Sequence, residues 1–331
     1  MTLGLILIGL PVAVLGYQYW LRPALSPTRV IDIAARVPEQ EGFAPDVIRV
    51  AVGETVTLRF ASMDVTHGVA IGPGLGVDLG PIDPGQVKEI TLRFEHPGIY
   101  TYYCTTWCSP DHWRMRGTLQ VSDPSNPDVV PAAQPDPVIE ALIAEGIDID
   151  AVHTPSADHG DMSILVFQPS AQRGKAVIAG GLDVPAELRD PVWRQSHTPA
   201  EALERLTRQN PAASERDRLD AIAYLWTLAP ADEALATGER LYNQNCAACH
   251  GQSGGGDGPA AATTAEEPVA FSDPGYMFER RSDVLYAKIR RGGMGTGMPN
   301  FGTLFTPEET WALVRYLWTL TFGAPPGLDT G

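Results

Sequence analysis

The sequence predicts a three-part chain: one membrane-spanning helix, then an all-β sandwich, then an all-α region. Three observations predict it. Residues 2–20 carry no charged side chain. Residues 46–121 fall into short runs rich in β-branched and aromatic residues, alternating apolar and polar and bounded by glycine and proline. Beyond a proline-rich break at 122–137 the apolar residues recur at helical spacing behind capping signatures. At roughly 100–200 residues per domain, 331 residues make two or three domains. An apolar content of 44% suffices for packed cores.

The first element reads TLGLILIGLPVAVLGYQYW. At 1.5 Å per residue it just crosses a ~30 Å hydrocarbon layer. Tyr17, Tyr19 and Trp20 close it, where aromatic rings favour the membrane interface. A cleaved signal peptide is the rival, but no basic stretch precedes the run and no small-x-small site follows it. Residues 1–22 are therefore expected to be an anchor. Arg22 follows the span and no Lys or Arg precedes it, so charge leaves its orientation open.

The β part, placed at 40–122, is built from DVIRVAV, TVTLRF, VKEITLRF and IYTYYC, with turns at GPGLG, PIDPGQ and HPG. The segment at 123–137 reads as a stiff linker. Helices are expected over VIEALIAEG, PAEALERLTRQ, 214–228, 231–245, 282–291 and 306–320. The pentapeptide YLWTL occurs at 224–228 and again at 316–320. Each copy closes a helix opened by a capping-box pattern, Ser214-x-x-Asp217 and Thr306-x-x-Glu309. The helical part divides into a middle segment, 138–230, and a C-terminal domain, 231–322.

Charge narrows the choice of partner. Against 24 basic residues stand 40 acidic ones, a net of -16. Nucleic acid is excluded as a partner, because phosphate binding needs clustered Lys and Arg. The balance suits solubility, or a partner with a basic face drawn in by long-range attraction.

The four cysteines form two close pairs with different spacings, Cys104/Cys108 and Cys246/Cys249. The first opens C-x3-C-x3-H-x2-M, ending at His112 and Met115, directly after a strand; His67 lies upstream in DVTHGVAI. Two thiols, two imidazoles and a thioether are a soft donor set that suits copper. One thiolate with two histidines and a weak methionine makes a mononuclear site. A second thiolate at this spacing permits two metals bridged by both sulfurs. A Cys104–Cys108 disulfide is geometrically possible but does not need His112 and Met115 at those offsets. Zinc would not call for the methionine.

Residues 43–121 resemble the copper domain of subunit II of haem-copper oxidases and the related domain of nitrous oxide reductase. The resemblance implies a cupredoxin sandwich with a dinuclear copper centre, CuA. Cys104 and Cys108 would then bridge both coppers, His67 and His112 bind one each, Met115 ligate weakly, and the backbone carbonyl of Thr106 complete the set. That family often carries an acid or amide at the position of Thr106, where an acid can help bind magnesium.

The second pair stands in Cys246-Ala-Ala-Cys249-His250. C-x-x-C-H permits two thioethers to a haem, with His250 as an iron ligand. Helical residues precede it, the loop GQSGGGDGPAA follows, and GGMGTGMPNFG and a closing helix lie downstream. Residues 230–320 resemble class I cytochrome c. The resemblance implies one covalently bound haem c with Met298 as sixth ligand, in the Met298-Pro299-x-Phe301 loop, with Met294 as rival. With both axial sites filled the haem would move single electrons and bind no substrate. Haem attachment of this kind occurs outside the cytoplasmic membrane, which would put both cofactor domains on the periplasmic side of a single span.

The middle segment has no cysteine. Its last helix mirrors the closing helix of the haem domain, and PAEALERLTRQ mirrors residues 282–291, which suggests a cytochrome-like half that lost its haem. His153, Asp158, His159 and Asp161 lie in a polar loop, and Met162 and His197 carry no signal of their own. The expected role is an electron-transfer subunit of the subunit II type. Electrons would enter from a quinol-cytochrome c reductase or a small cytochrome or cupredoxin, pass from haem c to CuA, and leave for the catalytic subunit I of a terminal oxidase. The same relay could instead feed a nitric oxide or nitrous oxide reductase. Copper storage or delivery is the alternative of a different class, and a chaperone has no need of a haem.

Overall fold

The computed structural model describes residues 28–126, 135–149, 168–228, 232–293 and 296–323. The expected anchor, most of the linker, His153, Asp158, His159, Asp161, Met162 and Met294 lie outside these residues. Among the described residues no helix is long and apolar enough to cross a membrane.

Nine strands build the β part: β1 (Arg29–Ala35), β2 (Phe43–Ala44), β3 (Val47–Ala51), β4 (Thr55–Ser62), β5 (His67–Gly72), β6 (Val77–Ile82), β7 (Val87–Arg93), β8 (Gly98–Tyr103) and β9 (Arg116–Ser122). They form a sandwich of one sheet ordered β2-β1-β4-β7 and a second ordered β3-β9-β8-β5-β6. The alternation seen in the sequence sets which side chains fill it. Along β4, Val56, Leu58 and Phe60 are buried while the residues between them are half-exposed. Phe43, Phe60 and Tyr102 meet edge-to-face in the centre, 5.2–6.0 Å between rings. The sandwich begins before residue 40. β1 runs parallel to β4 from Arg29↔Val56 to Ala35↔Ser62 and buries Ile33 and Ala35. Its alternation is brief and stops at Pro38, so little in the local sequence marks it as a strand.

β5 is buried along its whole length, and its two faces serve different partners. Val69 and Ile71 point into the sandwich. Ala70 and its cross-strand neighbour Tyr103 belong to the core of the helical part. A Cβ on Gly72 would lie 2.1 Å from the carbonyl oxygen of Leu304, so only glycine permits that approach. The helical part is thus packed directly on the outer face of the second sheet.

The helices are α1 (Pro137–Ala144), α2 (Ala171–Ala179), α3 (Ala186–Arg189), α4 (Pro191–Ser196), α5 (Pro199–Gln209), α6 (Glu215–Thr227), α7 (Asp232–Asn245), α8 (Ala247–His250), α9 (Pro274–Met277), α10 (Ser282–Arg291) and α11 (Pro307–Phe322). Two crossed pairs organise them, α2 with α6 and α7 with α11. The pairs meet where Trp226 and Trp318 contact edge-on at 6.3 Å. α2 carries no clear apolar stripe and has Gly174 at its centre, which hid it from sequence. α1 packs on α10 through Leu142 and Ala287, and Asp136 at its cap accepts from the Tyr286 hydroxyl at 2.9 Å. The segment expected to open the middle unit is therefore seated on the C-terminal one. Of the two expected capping boxes, Thr306 with Glu309 is complete. Ser214 accepts from the Asp217 N–H, but the shorter acid accepts from the Ser214 hydroxyl in turn.

The α2–α6 pair is tied by a buried acid. Asp220 accepts from the Ser170 N–H at 2.7 Å and from Arg173 Nε and Nη2 at 2.8 and 2.9 Å. Truncating it would strand a buried N–H and free a half-exposed guanidinium. Asp220→Ala is expected to cost about 2–3 kcal/mol, discounted for the exposure of Arg173. The check is a lower urea midpoint at unchanged slope, followed by far-ultraviolet circular dichroism.

Candidate copper and haem centres

The copper candidates come from five segments at one end of the second sheet. His67 is the first residue of β5 and Cys104 follows β8. Cys108 lies in the next loop, His112 opens a 3-10 turn ending at Arg114, and Met115 immediately precedes β9. A hydrogen bond from the Cys104 N–H to the Met115 carbonyl, 3.0 Å, closes the loop on itself. The donors converge. Donor atoms of His67, Cys104 and Cys108 all lie within 4.8 Å of one another. His67 Nδ1 is 3.9 Å from Cys104 Sγ, and His112 Nδ1 is 3.6 Å from Cys108 Sγ. Met115 Sδ is 3.8 Å from Cys108 Sγ, and the Thr106 carbonyl accepts from Cys104 Sγ at 3.2 Å. Cys104 and Cys108 are free thiols, not a disulfide. All six groups singled out from sequence meet at one place, and this soft set fits copper.

Electrostatics prepares the thiols. The hydrogen bond with Cys108, followed by those with His112 and His67, holds Cys104 well below the usual thiol range against the opposing effect of burial. Cys108, facing that sulfur, is pushed up. A bound cation displaces such a remaining proton, because the ligating form is the thiolate.

Sequence reading passed over Asp64. Its Oδ1 sits 2.7 Å from His67 Nε2 and accepts from the Val65 N–H, while Oδ2 accepts from the Val37 N–H at 2.7 Å. The acid thus turns the imidazole so that Nδ1 faces the sulfurs, as carboxylates behind metal-binding histidines do. The D-V-T-H spacing was the available signal. Burial raises the Asp64 pKa, but those hydrogen bonds overcome it and the carboxyl stays below its ordinary range. Burial lowers the His67 pKa, but Cys104 and Asp64 overcome it and the ring is pushed above 6.5. In the metal-free chain a depressed acid stabilises above its unfolded pKa and loses that effect as pH falls through its folded value. A raised imidazole stabilises below its unfolded pKa and loses that effect as pH rises through its folded value. The pair therefore contributes fully between the ordinary carboxylate range and 6.5. Asp64→Ala should flatten the acid limb of a melting-temperature profile against pH in the metal-free chain and flatten the alkaline limb in part, since Cys104 still raises His67.

The haem candidates lie on one turn. Cys246 caps α8, and Cys249 and His250 lie within it, with Cys249 N–H and His250 N–H donating to the Cys246 carbonyl at 3.1 and 2.9 Å. His250 Nδ1 donates to the Val269 carbonyl at 3.0 Å, which leaves Nε2 free to ligate. Burial pushes the His250 pKa down, favouring the neutral ring that binds iron. Phe271 packs on the imidazole at 4.6 Å between rings. Met298 is half-buried against the helical core, and its carbonyl accepts from the Gly293 N–H at 3.0 Å. Two free thiols and an oriented imidazole fit a covalently bound haem.

Residues 233–317, about a quarter of the chain, match the family described as cytochrome c oxidase, cbb3-type, subunit III. They form a cytochrome c domain. A second likeness is to the nitrous-oxide reductase of Stutzerimonas stutzeri, 31% identical over 84 residues, covering 24% of this chain and 13% of that one. This chain therefore spans only a small part of that enzyme's length. Among solved structures, a haem-copper terminal oxidase dimer is 26% identical over 37% of this chain and 95% of its own, at a TM-score of 0.25. The periplasmic domain of subunit II of cytochrome oxidase of Bradyrhizobium japonicum is 18% identical over 30% of this chain and 90% of its own, also at 0.25. A cupredoxin-like sandwich whose soft donors converge, joined to a cytochrome c domain, makes this chain an electron-transfer protein.

Proposed function

We propose that this chain is the subunit II-type relay of a respiratory haem-copper oxidase, taking electrons at haem c and passing them through a dinuclear copper centre to a catalytic subunit. The observation that carries the reading is the meeting of His67, Cys104, Thr106, Cys108, His112 and Met115 in one chain with the Cys246, Cys249, His250 and Met298 set. His67, Cys104, Thr106, Cys108, His112 and Met115 would hold copper and Cys246, Cys249, His250 and Met298 a haem, and each group, when bound, would supply one-electron redox chemistry. The chain's own residues fix the ligands. Asp64 orients His67, the Val269 carbonyl orients His250, and the packed sandwich buries Cys104 and Met115. Such packing keeps reorganisation small during electron exchange.

In this reading residues 1–22 anchor the chain in the cytoplasmic membrane with both cofactor domains outside. The acidic surface steers a donor with a basic face, and oxygen is reduced by the partner subunit. The middle segment is a haem-less counterpart of the cytochrome c domain. Counted from Gly174 and Gly238 at the two helix crossings, the positions matching Cys246, Cys249 and His250 are Leu182, Pro185 and Ala186.

The test is metal analysis and turnover of matured protein purified with its partner. Two coppers and one iron per chain, a near-infrared mixed-valence band, and oxygen consumption support the reading. A single copper per chain ends the dinuclear assignment. The likeness to nitrous-oxide reductase favours a second reading, the same relay serving a nitrogen-oxide reductase. Turnover of nitrous or nitric oxide without oxygen consumption would establish it in place of the first.

A further inference from the structure

The two cofactor domains do not hang on a loose tether in this structure; they meet at the copper site's own edge. The seam between them leaves a gap of about 10 Å³, at the lower limit for a single water, lined by His112, Met115 and Arg116 on one side and Asn245, Phe301 and Leu304 on the other. Arg116 is the lining residue that bonds across it. Its Nη1 donates to the Asn300 carbonyl at 2.5 Å, and its Nε donates to the Trp113 carbonyl at 3.1 Å. Its guanidinium lies over the Phe301 ring, 5.0 Å from the centroid. Burial pushes its pKa down to about 10, although the guanidinium is only partly covered. Two further contacts fix the same seam: Gly72 against Leu304, and Gln244 Nε2 donating to Asp78 at 3.0 Å.

The place of Arg116 in the chain gives this contact a second meaning. It follows Met115, the candidate axial ligand of the copper site. The carbonyl it binds belongs to Asn300, two residues after Met298, the candidate axial ligand of the haem. We propose that Arg116 is a positioning residue that latches the methionine loop of the haem domain onto the copper site and completes the bonded path between the two axial methionines. The proposal rests on the relay reading above.

Electronic coupling decays far more steeply across an empty gap than through covalent and hydrogen bonds. The route Met298–Pro299–Asn300, hydrogen bond, Arg116–Met115 contains no such gap. The step it serves moves one electron: haem iron is oxidised by one, the copper pair is reduced by one, and no bond is made and no proton moves. The electron is supplied beforehand by an external one-electron donor. A charge-assisted hydrogen bond at this partly exposed seam contributes about tenfold to a docking equilibrium. Its loss would free the methionine loop from the copper site's edge, while the packing of Ala70 and Tyr103 in the helical core keeps the domains together.

The experiment uses the full chain, matured with haem and copper, as wild type, Arg116→Gln, Arg116→Lys and Phe301→Leu. The haem is reduced by a radical pulse and the electron's arrival at copper is followed optically. Arg116→Gln is expected to slow the transfer by about tenfold, with both resting spectra unchanged, and Arg116→Lys to recover part of the loss. Hydrogen exchange, run on the same chains without copper, should show faster exchange of the amides at 300–305 in Arg116→Gln. If Arg116→Gln does not fold, Phe301→Leu carries the test, since it leaves the copper domain untouched and removes the surface on which the guanidinium lies. Transfer within twofold of wild type in a folded variant with both spectra intact overturns the role of Arg116 and leaves the relay standing. Absence of two coppers from the wild type would strike the relay itself.

Discussion

Replacing Met298 with alanine is expected to leave the haem covalently bound while lowering its reduction potential by more than about 0.1 V, within the ~0.8 V range that axial ligands span. The groups that hold the porphyrin and those that set its potential lie on different segments. Cys246, Cys249 and His250 share one turn, and the imidazole is anchored by Val269 and packed by Phe271. None of these contacts involves residue 298. The Met298 N–H donates to Thr296 Oγ1 at 3.2 Å and its carbonyl accepts from Gly293, and both bonds survive truncation of the side chain. What disappears is the thioether, in the proposed reading the ligand that keeps such a haem at high potential. Potentiometric titration followed by haem absorbance reads the shift. An unchanged potential would assign the sixth position to Met294 instead.

The same separation explains what could be read from sequence. Cys104, Cys108, His112 and Met115 lie within a dozen residues, and Cys246, Cys249 and His250 within five, so spacing alone announced them. His67 stands apart, yet as the histidine upstream in DVTHGVAI it was a candidate from the residues themselves, and it opens a strand that pairs beside β8. Asp64 was legible in principle because it precedes His67 by three residues. Arg116 was not. It looks like one more polar residue at the start of β9, and its importance comes from a carbonyl 184 positions away in the chain. β1 was passed over for a related reason: its worth lies in parallel pairing with β4, a long-range contact with no signature in its own seven residues. Local chemistry was visible because ligands cluster. The docking was hidden because packing partners need not.

The helix crossings show how much such hidden packing controls. A Cβ on Gly238 of α7 would lie 2.3 Å from the Ala312 carbonyl oxygen and 2.8 Å from Tyr316 Cβ on α11. A Cβ on Gly174 of α2 would lie 1.8 Å from the Asp220 carbonyl oxygen and 2.9 Å from Tyr224 Cβ on α6. In both pairs the obstructing residues are four apart, and the second is the tyrosine that opens YLWTL. The two crossings are built alike, which the repeated pentapeptide only hinted at. Alanine is ordinarily better than glycine inside a helix by about 1 kcal/mol. Here the clash is with backbone, which no side-chain rotation relieves, so the helices must separate and open a shared core that includes Trp226 and Trp318. Gly238→Val and Gly174→Val are each expected to cost about 3 kcal/mol or more, with different outcomes. The first displaces α7, which leads directly into Cys246, so haem attachment should fall with stability. The second should lower the unfolding midpoint while matured protein keeps its haem. Haem content per chain, measured beside urea unfolding, separates the two, and full haem content in Gly238→Val would show that the α7–α11 crossing is not needed to present the attachment site.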